Sequence, residues 1–290
     1  MPAIRDSQGL LSRRDFLNCL AAATAAAALP FARGSAAQTP LQPALRAQRL
    51  AWAGVRLQLD KATLFLDPLI DPGVWGSALQ DPLIPVAVET GDRYVLATHR
   101  HGDHCDPVAI RQALGSNGTL LMAASAGSPV NGDFRTRLAP LYEPQVLGDF
   151  TATAVPAADG YGDAQVSWIV SGGGRRVIHC GDTLWHGSWW QIGRQYGPFD
   201  AAFLPINGAR FSWRKPASEI SAVMTPEQAV AAAVVMGARQ IVPIHYGVRG
   251  AEGYSELPDV EARLIEVASR RGVGVEVRRP GEWLAWQPNG

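Results

Sequence analysis

The chain has few cysteines and no net charge, and each shortage excludes a class of protein. Only 3 of its 290 residues are cysteine, and 26 basic side chains balance 26 acidic ones. So few cysteines cannot form the disulfide framework of a small secreted domain. A neutral chain has no general attraction to nucleic acid or to anionic lipid surfaces, so we expect no nucleic-acid partner.

Long apolar runs are scarce as well, although apolar residues are not. Hydrophobic residues make up 47% of the chain and charged residues 18%. This composition supports a substantial core and excludes an intrinsically disordered chain. The apolar run at residues 19–29 is shorter than the roughly 20 residues that a membrane-spanning helix needs. We therefore expect no transmembrane segment in the mature chain.

Residues 1–37 have the pattern of a twin-arginine signal peptide. Residues 12–17 are SRRDFL, and the apolar run that follows ends in a small-residue stretch at 34–37 suited to cleavage. An uncleaved anchor and an ordinary amphipathic helix are the alternatives. The pattern predicts export by the twin-arginine machinery, a periplasmic or secreted protein, and a single domain over residues 38–290.

Cleavage would remove Cys19 and leave Cys105 and Cys180, each next to a residue of the motifs described below. An oxidising compartment would permit a disulfide between them. We favour instead the role of small buried hydrophobes, which unpaired cysteines often have.

The hydrophobic pattern predicts a strand-rich first half and a mixed second half. Strands are predicted at 50–52, 55–59, 63–66, 119–123, 150–155, 166–170, 176–178, 201–205, 241–244, 273–277 and 283–286. Helices are predicted at 107–114, at 189–196, from a capping box at 225–228 to Gly237, and at 258–270. Residues 69–92 are rich in Pro, Gly and Asp and are expected to form a surface loop near a site. The order favours an α/β fold with two sheets packed face to face and helices outside.

The segment 98–104, THRHGDH, is the strongest sign of chemistry. Directly after an apolar run, it places three of the six histidines and one aspartate within six residues. The side chains of His99, His101, Asp103 and His104 can present four metal-binding atoms from one loop, and imidazole with carboxylate suits Zn²⁺, Mn²⁺ or iron. The alternative is a polar loop with coincidental histidines.

Further ligands are available at the ends of predicted strands. Asp182 follows the strand that ends at Cys180, His245 follows 241–244, and Asp159 follows the apolar stretch 154–158. Alone, such residues are more often found in turns or in structural hydrogen bonds. Together with the histidine segment they predict a metal site.

In this order, the residues resemble the metallo-β-lactamase fold superfamily over nearly the whole mature chain. The resemblance implies a four-layer αβ/βα sandwich and a metal-dependent hydrolase with two Zn²⁺ ions. It also assigns the residues: His99 and His101 to the first metal, Asp103, His104 and His245 to the second, Asp182 as the bridge, and Asp67 orienting a histidine.

One position departs from the common pattern of that superfamily. Many members have a histidine where this chain has Asp159. A carboxylate is a harder ligand, so the first ion could be weakly bound or could be Mn²⁺. Ascorbate-6-phosphate lactonase-like hydrolases accept a carboxylate there, and residues 179–182 resemble their motif. Asp182 stands where true class B1 β-lactamases have a cysteine ligand, which argues against β-lactam hydrolysis.

The second half also resembles N-acylphosphatidylethanolamine phospholipase D and its bacterial relatives. The similar segments are 181–183, 192–200, 204–206, Trp213, Lys215, 225–230 and 244–247. Much of this likeness covers helix caps and strand ends, so it indicates relatedness more than substrate. A small-molecule or lipid-derived substrate is expected.

Two neighbouring cations can share a hydroxide and activate it. Asp103 is then the natural proton acceptor, and His186 or Tyr246 could protonate the leaving group. The alternative for His186 is an exposed residue at a helix start. Trp185, Trp189 and Trp190 could line a substrate pocket or pack on the sheet.

Three functions remain open at this point. Hydrolysis of a phosphodiester is our first prediction, and opening of a lactone is the second. The third is a metal-binding protein of the same fold that has lost turnover. The intact Asp103 weighs against that third reading, and Asp159 weighs slightly for it. Arg210, Arg214 and Lys215 could neutralise a phosphate or carboxylate, or could lie in a solvated loop.

Overall fold

The computed structural model describes residues 44–127 and 132–286. The predicted signal peptide lies outside these residues, so the boundary at residue 37 stays a prediction. The described residues all belong to one compact unit. Among the helices in this part of the chain, none is long and apolar enough to cross a membrane.

Strands outnumber helices, as the hydrophobic pattern predicts. The strands are β1 Arg46–Arg49, β2 Val55–Leu59, β3 Ala62–Leu66, β4 Arg93–Ala97, β5 Thr119–Ala123, β6 Arg135–Ala139, β7 Pro144–Leu147, β8 Phe150–Pro156, β9 Val166–Gly172, β10 Arg175–His179, β11 Ala201–Pro205, β12 Arg210–Phe211, β13 Gln240–Ile244, β14 Tyr254–Ser255 and β15 Gly274–Val275. The α-helices are α1 Pro107–Leu114, α2 Trp189–Tyr196, α3 Pro226–Met236 and α4 Val260–Arg271. Short 3₁₀ helices lie at Gly73–Ala78 and Ala124–Ala126.

These strands form two large sheets. The first has the order β1-β2-β3-β4-β5-β6, and the second has the order β15-β13-β11-β10-β9-β8-β7. In the first sheet β3, β4, β5 and β6 are parallel neighbours. In the second sheet β10, β11, β13 and β15 are parallel neighbours. A parallel array brings the carboxyl ends of its strands to one edge, where sites in open α/β sheets form.

The two sheets pack against each other, and the helices cover their outer faces. The core between the sheets contains side chains of both, such as Leu64 and Leu121 from the first and Val170 and Val242 from the second. Helix α1 contacts β4 and β5, whereas α3 contacts β11 and β13. The four-layer αβ/βα sandwich expected from the sequence is therefore confirmed.

Local sequence signals explain why two helices begin where they do. Asp106 caps α1 by accepting hydrogen bonds from the backbone N–H groups of Val108 and Ala109. Its other oxygen accepts from the N–H groups of Ile70 and Asp71, both at 2.9 Å. One buried carboxylate thus ties the loop after β3 to the helix that follows the histidine segment. Helix α3 begins with the predicted capping box at Thr225.

The predicted strand at 50–52 is wrong. These residues form a turn in which the Leu50 N–H donates to the Gly54 carbonyl at 2.8 Å, and Trp52 has a left-handed φ of 57°. The preceding residues form β1 instead. The predicted strand at 283–286 is also wrong, because only Trp283 makes a bridge, to Gln48.

Cys105 and Cys180 are both buried and unpaired. Burial raises the pKa of the Cys105 thiol to about 11 and that of Cys180 to about 12. Both therefore remain protonated at neutral pH, as expected for small buried hydrophobes rather than reactive thiols.

Candidate metal centre

The predicted site residues lie just beyond the carboxyl ends of five strands. Asp67 directly follows β3, the histidine segment follows β4, and Asp159 follows β8. Asp182 follows β10, and His245 follows β13. Because four of these strands lie in parallel arrays of the two facing sheets, their ends meet at one edge of the sandwich.

The seven predicted ligands come together in two groups. The first group contains His99, His101, Asp159 and Asp182, and the second group contains Asp103, His104 and His245. Within each group the candidate ligand atoms lie within 4.8 Å of one another. We keep the names first group and second group for these two sets.

The first group is compact around two facing imidazole nitrogens. His99 Nε2 lies 2.9 Å from His101 Nδ1. Asp159 Oδ2 lies 3.6 Å from His101 Nδ1, and Asp182 Oδ1 lies 3.7 Å from His99 Nε2. Four potential ligand atoms thus surround one point, two of them nitrogen and two of them oxygen.

Asp182 lies between the two groups. While its Oδ1 faces His99 of the first group, its Oδ2 lies 3.9 Å from His245 Nε2 of the second. Each carboxylate oxygen therefore faces a different group, which is the arrangement that a bridging ligand requires.

A buried carboxylate, Asp67, sets the orientation of one histidine in each group. Its Oδ2 accepts from His104 Nδ1 at 2.8 Å and from the Thr98 hydroxyl at 2.6 Å. The same hydroxyl lies 3.0 Å from His99 Nδ1 and can accept its proton. Both imidazoles then donate through Nδ1 and keep the Nε2 lone pair for a metal, as ligating histidines do.

The surroundings of Asp67 lower its pKa. Burial alone would raise the pKa, but the hydrogen bond from His104 and the nearby histidine charges outweigh burial and bring it to about 2. Asp67 is therefore a stable carboxylate acceptor over the physiological range, although it is completely buried.

Two further aspartates outside the histidine segment surround the first group: Asp159 as a member and Asp163 as a partner of His101. His101 Nε2 lies 2.9 Å from Asp163 Oδ2, which leaves His101 Nδ1 free to ligate. Asp159 Oδ1 accepts hydrogen bonds from the backbone N–H groups of Tyr161 and Gly162, and its Oδ2 points at the group. The structure thus places Asp159, the departure from the common motif, among the candidate metal ligands.

Several buried ligand atoms have no hydrogen-bond partner among the described residues: His104 Nε2, Asp159 Oδ2 and Asp182 Oδ1. A buried polar atom without a partner costs about 1–3 kcal/mol. A cation in each group would satisfy all three atoms. Imidazole nitrogen with carboxylate oxygen is also the donor set that Zn²⁺ and similar ions accept, so the residues fit a pair of metal ions.

The backbone is strained where it delivers these residues. Asp67 and His245 have left-handed φ angles of 42° and 58°, which non-glycine residues adopt at a cost of about 1–3 kcal/mol. Gly181, with φ of 59°, precedes Asp182, and a Cβ there would lie 2.8 Å from Gln165 Nε2 and 2.9 Å from Thr98 Oγ1. Only glycine allows this close turn into the ligand.

Asp103 has partners that the sequence gave no reason to expect. Its Oδ2 accepts hydrogen bonds from the indole N–H of Trp52 at 3.1 Å and from that of Trp75 at 2.9 Å. Oδ1 is left for both roles predicted for Asp103, metal ligation and proton acceptance.

A cavity of about 780 Å³ opens over the two groups. Among its lining residues are His101, Asp103, Asp182 and His245 of the metal groups. Its other notable lining residues are four aromatic side chains and one cation: Trp75, Tyr161, Phe211, Trp213 and Arg214. Small residues such as Ser77, Ala78 and Ala251 and one further carboxylate, Glu252, complete the wall. The cavity thus combines an apolar space with one cation and one carboxylate near the two metal groups.

The predicted proton donors lie elsewhere. The His186 ring stacks on Trp189 with centroids 4.0 Å apart, and His186 Nδ1 accepts from the Ser188 N–H. Burial lowers the pKa of His186 to about 4, so its ring is neutral at pH 7. Neither His186 nor Tyr246 is among the described residues that line the cavity. The structure does not bring either residue to the metal groups, and a catalytic role for His186 stays an untested prediction.

The predicted pocket aromatics and cations divide in the same way. Trp185, Trp189 and Trp190 contact one another around the start of α2 and do not line the cavity. Arg210 faces Glu219 at 3.7 Å outside the cavity, whereas Arg214 lies in its wall. The residues that sequence reasoning missed are Trp52, Trp75, Asp163 and Asn207, none of which belongs to a recognisable motif.

Comparisons with known proteins agree with this geometry. A family model described as a beta-lactamase superfamily domain matches residues 62–246. A UPF0173 metal-dependent hydrolase of Rubrobacter xylanophilus is 30% identical over 208 residues, which cover 66% of this chain and 77% of that protein.

Solved structures share the fold at lower identity. Igni18, a metallo hydrolase of Ignicoccus hospitalis, matches with a TM-score of 0.60 and 21% identity, over 85% of this chain and 99% of that one. CmlA, a diiron beta-hydroxylase from Streptomyces venezuelae, matches with a TM-score of 0.62 and 16% identity, over 83% of this chain and 54% of that one. These likenesses concern the fold alone, but the family match and the paired ligand groups go further. The chain belongs to the family described as the beta-lactamase superfamily domain, and it is a metal-dependent hydrolase of the metallo-β-lactamase superfamily.

Proposed function

We propose that this protein hydrolyses a small phosphodiester at a pair of metal ions, with Zn²⁺ as the resident metal. The observation that supports the proposal most is the position of Arg214, which lies in the wall of the same cavity as His101, Asp103, Asp182 and His245. A phosphodiester needs both the metal groups and a cation, because the metal groups would cleave its ester bond and the cation would neutralise its negative charge.

The ligand chemistry supports zinc and allows manganese. The second group has two imidazoles and one carboxylate, a set typical of Zn²⁺ sites. The first group has two imidazoles and two carboxylates, and harder oxygen ligands favour Mn²⁺. When bound, a pair of such ions lowers the pKa of water and neutralises charge on the substrate.

The side chains of the chain itself would orient the substrate. Arg214 is exposed, forms no ion pair within the described part of the chain, and lies with its guanidinium carbon 3.9 Å from the centroid of the Tyr161 ring. A guanidinium has several N–H donors, so Arg214 can contact Tyr161 and still bind a phosphate oxygen with its remaining donors.

The apolar part of the cavity would accept the ester group. Phe211 contacts Tyr161 and Trp213, each with ring centroids 4.8 Å apart, and Tyr254 at 5.5 Å. Such a wall favours a flat or apolar group next to the charged phosphate and excludes water from one side of it. We therefore expect aryl phosphodiesters to be better substrates than small alkyl ones.

The direct experiment compares bis-p-nitrophenyl phosphate with simple lactones, using protein loaded with Zn²⁺ or Mn²⁺. The matched variants are Arg214→Ala in the cavity wall and Arg210→Ala outside it. We expect Arg214→Ala to raise the KM for the phosphodiester by about 10–100-fold, the value of a charge-assisted hydrogen bond. Arg210→Ala should change this KM little.

Lactone opening is the second candidate, because Asp159 stands where many superfamily members have a histidine. The lactonase-like hydrolases that the chain resembles also accept a carboxylate at this position. A lactone is neutral, so its turnover would not depend on Arg214. Turnover of lactones alone, equal in wild type and Arg214→Ala, would replace the phosphodiester proposal. No turnover of either substrate with both ions bound would favour a metal-binding protein without catalysis.

We also propose that the protein acts after export, in the periplasm or outside the cell. The support is the SRRDFL pattern at residues 12–17 with its apolar run and small-residue stretch. Replacing both arginines, Arg13→Lys with Arg14→Lys, should keep the full chain in the cytoplasm of a bacterium that has the twin-arginine machinery. If fractionation finds wild type and variant in the same compartment, the export proposal is wrong.

A further inference from the structure

Asp103 accepts two indole hydrogen bonds on a single oxygen atom. Trp52 lies in the turn after β1, and Trp75 lies in the 3₁₀ helix Gly73–Ala78, so the two donors come from different parts of the chain. We call these two tryptophans the indole clamp. Both lone pairs of Asp103 Oδ2 are occupied, and Asp103 is buried.

The clamp restricts what Asp103 can do. Turning the carboxylate would break two hydrogen bonds to a charged group, and such bonds are stronger than those between neutral groups. Asp103 is therefore held in one orientation, with Oδ1 as the oxygen that carries no indole hydrogen bond. A carboxylate without these donors could rotate or offer both oxygens.

The same rings also contact the surroundings of His245, the member of the second group that lies furthest along the chain. Trp52 contacts the His245 ring with centroids 4.0 Å apart. Trp75 contacts Tyr254 at 4.7 Å, the Tyr254 hydroxyl lies 2.8 Å from Asn207 Nδ2, and that atom lies 3.1 Å from His245 Nδ1. Two of the three side chains in the second group are thus positioned by the indole clamp and its neighbours.

Trp75 belongs to the cavity wall as well as to the clamp. It lines the cavity together with Ser77 and Ala78 of the same 3₁₀ helix. This wall segment is hydrogen-bonded to the chain that follows His245, through Arg249 N–H to the Ala78 carbonyl and Gln80 N–H to the Gly247 carbonyl, both at 2.9 Å. Trp75 therefore belongs both to this wall segment and to the hydrogen-bonded surroundings of the second group.

We propose that Trp75 is a positioning residue for the second metal. By fixing Asp103 through its indole N–H, it raises the metal affinity of the second group and makes that affinity depend on the docked wall segment. The inference rests on metal binding and not on the identity of the substrate. A chain without phosphodiesterase activity would still test it.

The test is the variant Trp75→Phe in the full chain, with Trp213→Phe as the matched control. Trp213 also lines the cavity and is 47% exposed, but its ring contacts Phe211, and the indole donors to Asp103 among the described residues are Trp52 and Trp75. Chelator competition measures the affinity of each of the two Zn²⁺ equivalents. We expect Trp75→Phe to weaken one equivalent by about 10–100-fold, the usual cost of losing an outer partner of a ligand, and to leave the other unchanged.

Several results would overturn the proposal: Trp75→Phe keeping both affinities, Trp75→Phe losing both equally, or Trp213→Phe losing as much as Trp75→Phe. A second measurement covers the case in which Trp75→Phe does not fold. In Trp213→Phe, intrinsic fluorescence should change with one metal equivalent much more than with the other, because the indole clamp contacts only the second group. A change spread equally over both equivalents, or no change, would also contradict it.

Discussion

The two metal-ligand groups face one cavity but differ in how they are shielded. In the second group His104 is fully buried, and His245 is only 3% exposed. In the first group the His101 side chain is 29% exposed, and its partner Asp163 is 64% exposed. The second group is therefore built inside the protein, whereas the first lies partly at its surface.

The outer partners of the two groups differ in the same direction. The second group is braced by the buried Asp67 and by two indole donors, Trp52 and Trp75. The first depends at His101 on an exposed carboxylate that water and salt can screen. Two groups with similar ligands can therefore differ in metal affinity because their outer partners differ. We expect the first group to exchange its metal more readily than the second.

The largest effect is expected for Asp182, which is the one candidate ligand among the described residues that faces both groups. Asp182→Ala should abolish the tight binding of both ions and lower kcat/KM by at least about 100-fold, the upper range for losing an outer partner of a ligand. Asp159→Ala, which alters the first group alone, is the matched control and should lose one ion. Metal content after dialysis would show whether Asp182→Ala retains two ions, which would exclude a bridge.

Asp67→Asn should affect both groups without removing a ligand. An amide cannot accept from Thr98 and His104 as the carboxylate does, so both histidine orientations are weakened. We expect each metal equivalent to bind about 10–100-fold more weakly. Loss of affinity at one equivalent only would contradict the shared role of Asp67 through Thr98.

Asp163→Asn should distinguish the groups with a smaller effect. Since Asp163 is exposed and solvent screens its charge, loss of its interaction with His101 should change the metal affinity by a few-fold at most. Only the first equivalent should change, and added salt should reduce the difference between variant and wild type. An equal change at both equivalents would show that the groups are not separable in this way.

The smallest effect is expected at His186, outside both groups. Burial lowers its pKa to about 4, below the ordinary value of 6.5. Between these values the unfolded chain binds the proton more readily, so the contribution of His186 to stability is complete above about pH 6.5 and is lost as pH falls toward 4. His186→Gln should remove this dependence and leave kcat unchanged at pH 7. A large fall in kcat would restore the predicted proton-donor role.

Much of the fold follows directly from the sequence. Helix α1 and strand β5 have the predicted bounds, because a proline at the helix start and a strand that is apolar after Thr119 are clear local signals. The apolar residues 50–52 have a strand-like composition but form a turn, where Asp81 accepts the Trp52 N–H from 29 positions away. Strand β6 was missed because it is a polar, largely exposed edge strand.

Some residues of the site could likewise be predicted from the sequence, and others could not. The ligands could be predicted because imidazole and carboxylate side chains stand at strand ends in a known order. Trp52, Trp75 and Asp163 could not be predicted, since each acts on a ligand from another loop and has no characteristic spacing. These three outer partners depend on tertiary packing, whereas Asp67 could be predicted because it has a place in the known order of motifs.

The most direct measurement is anomalous diffraction at the zinc edge from crystals of the protein loaded with Zn²⁺. The account predicts two peaks, one among the ligand atoms of His99, His101, Asp159 and Asp182, and one among those of Asp103, His104 and His245. Peaks at other residues, or density in which Asp182 contacts neither ion, would contradict it.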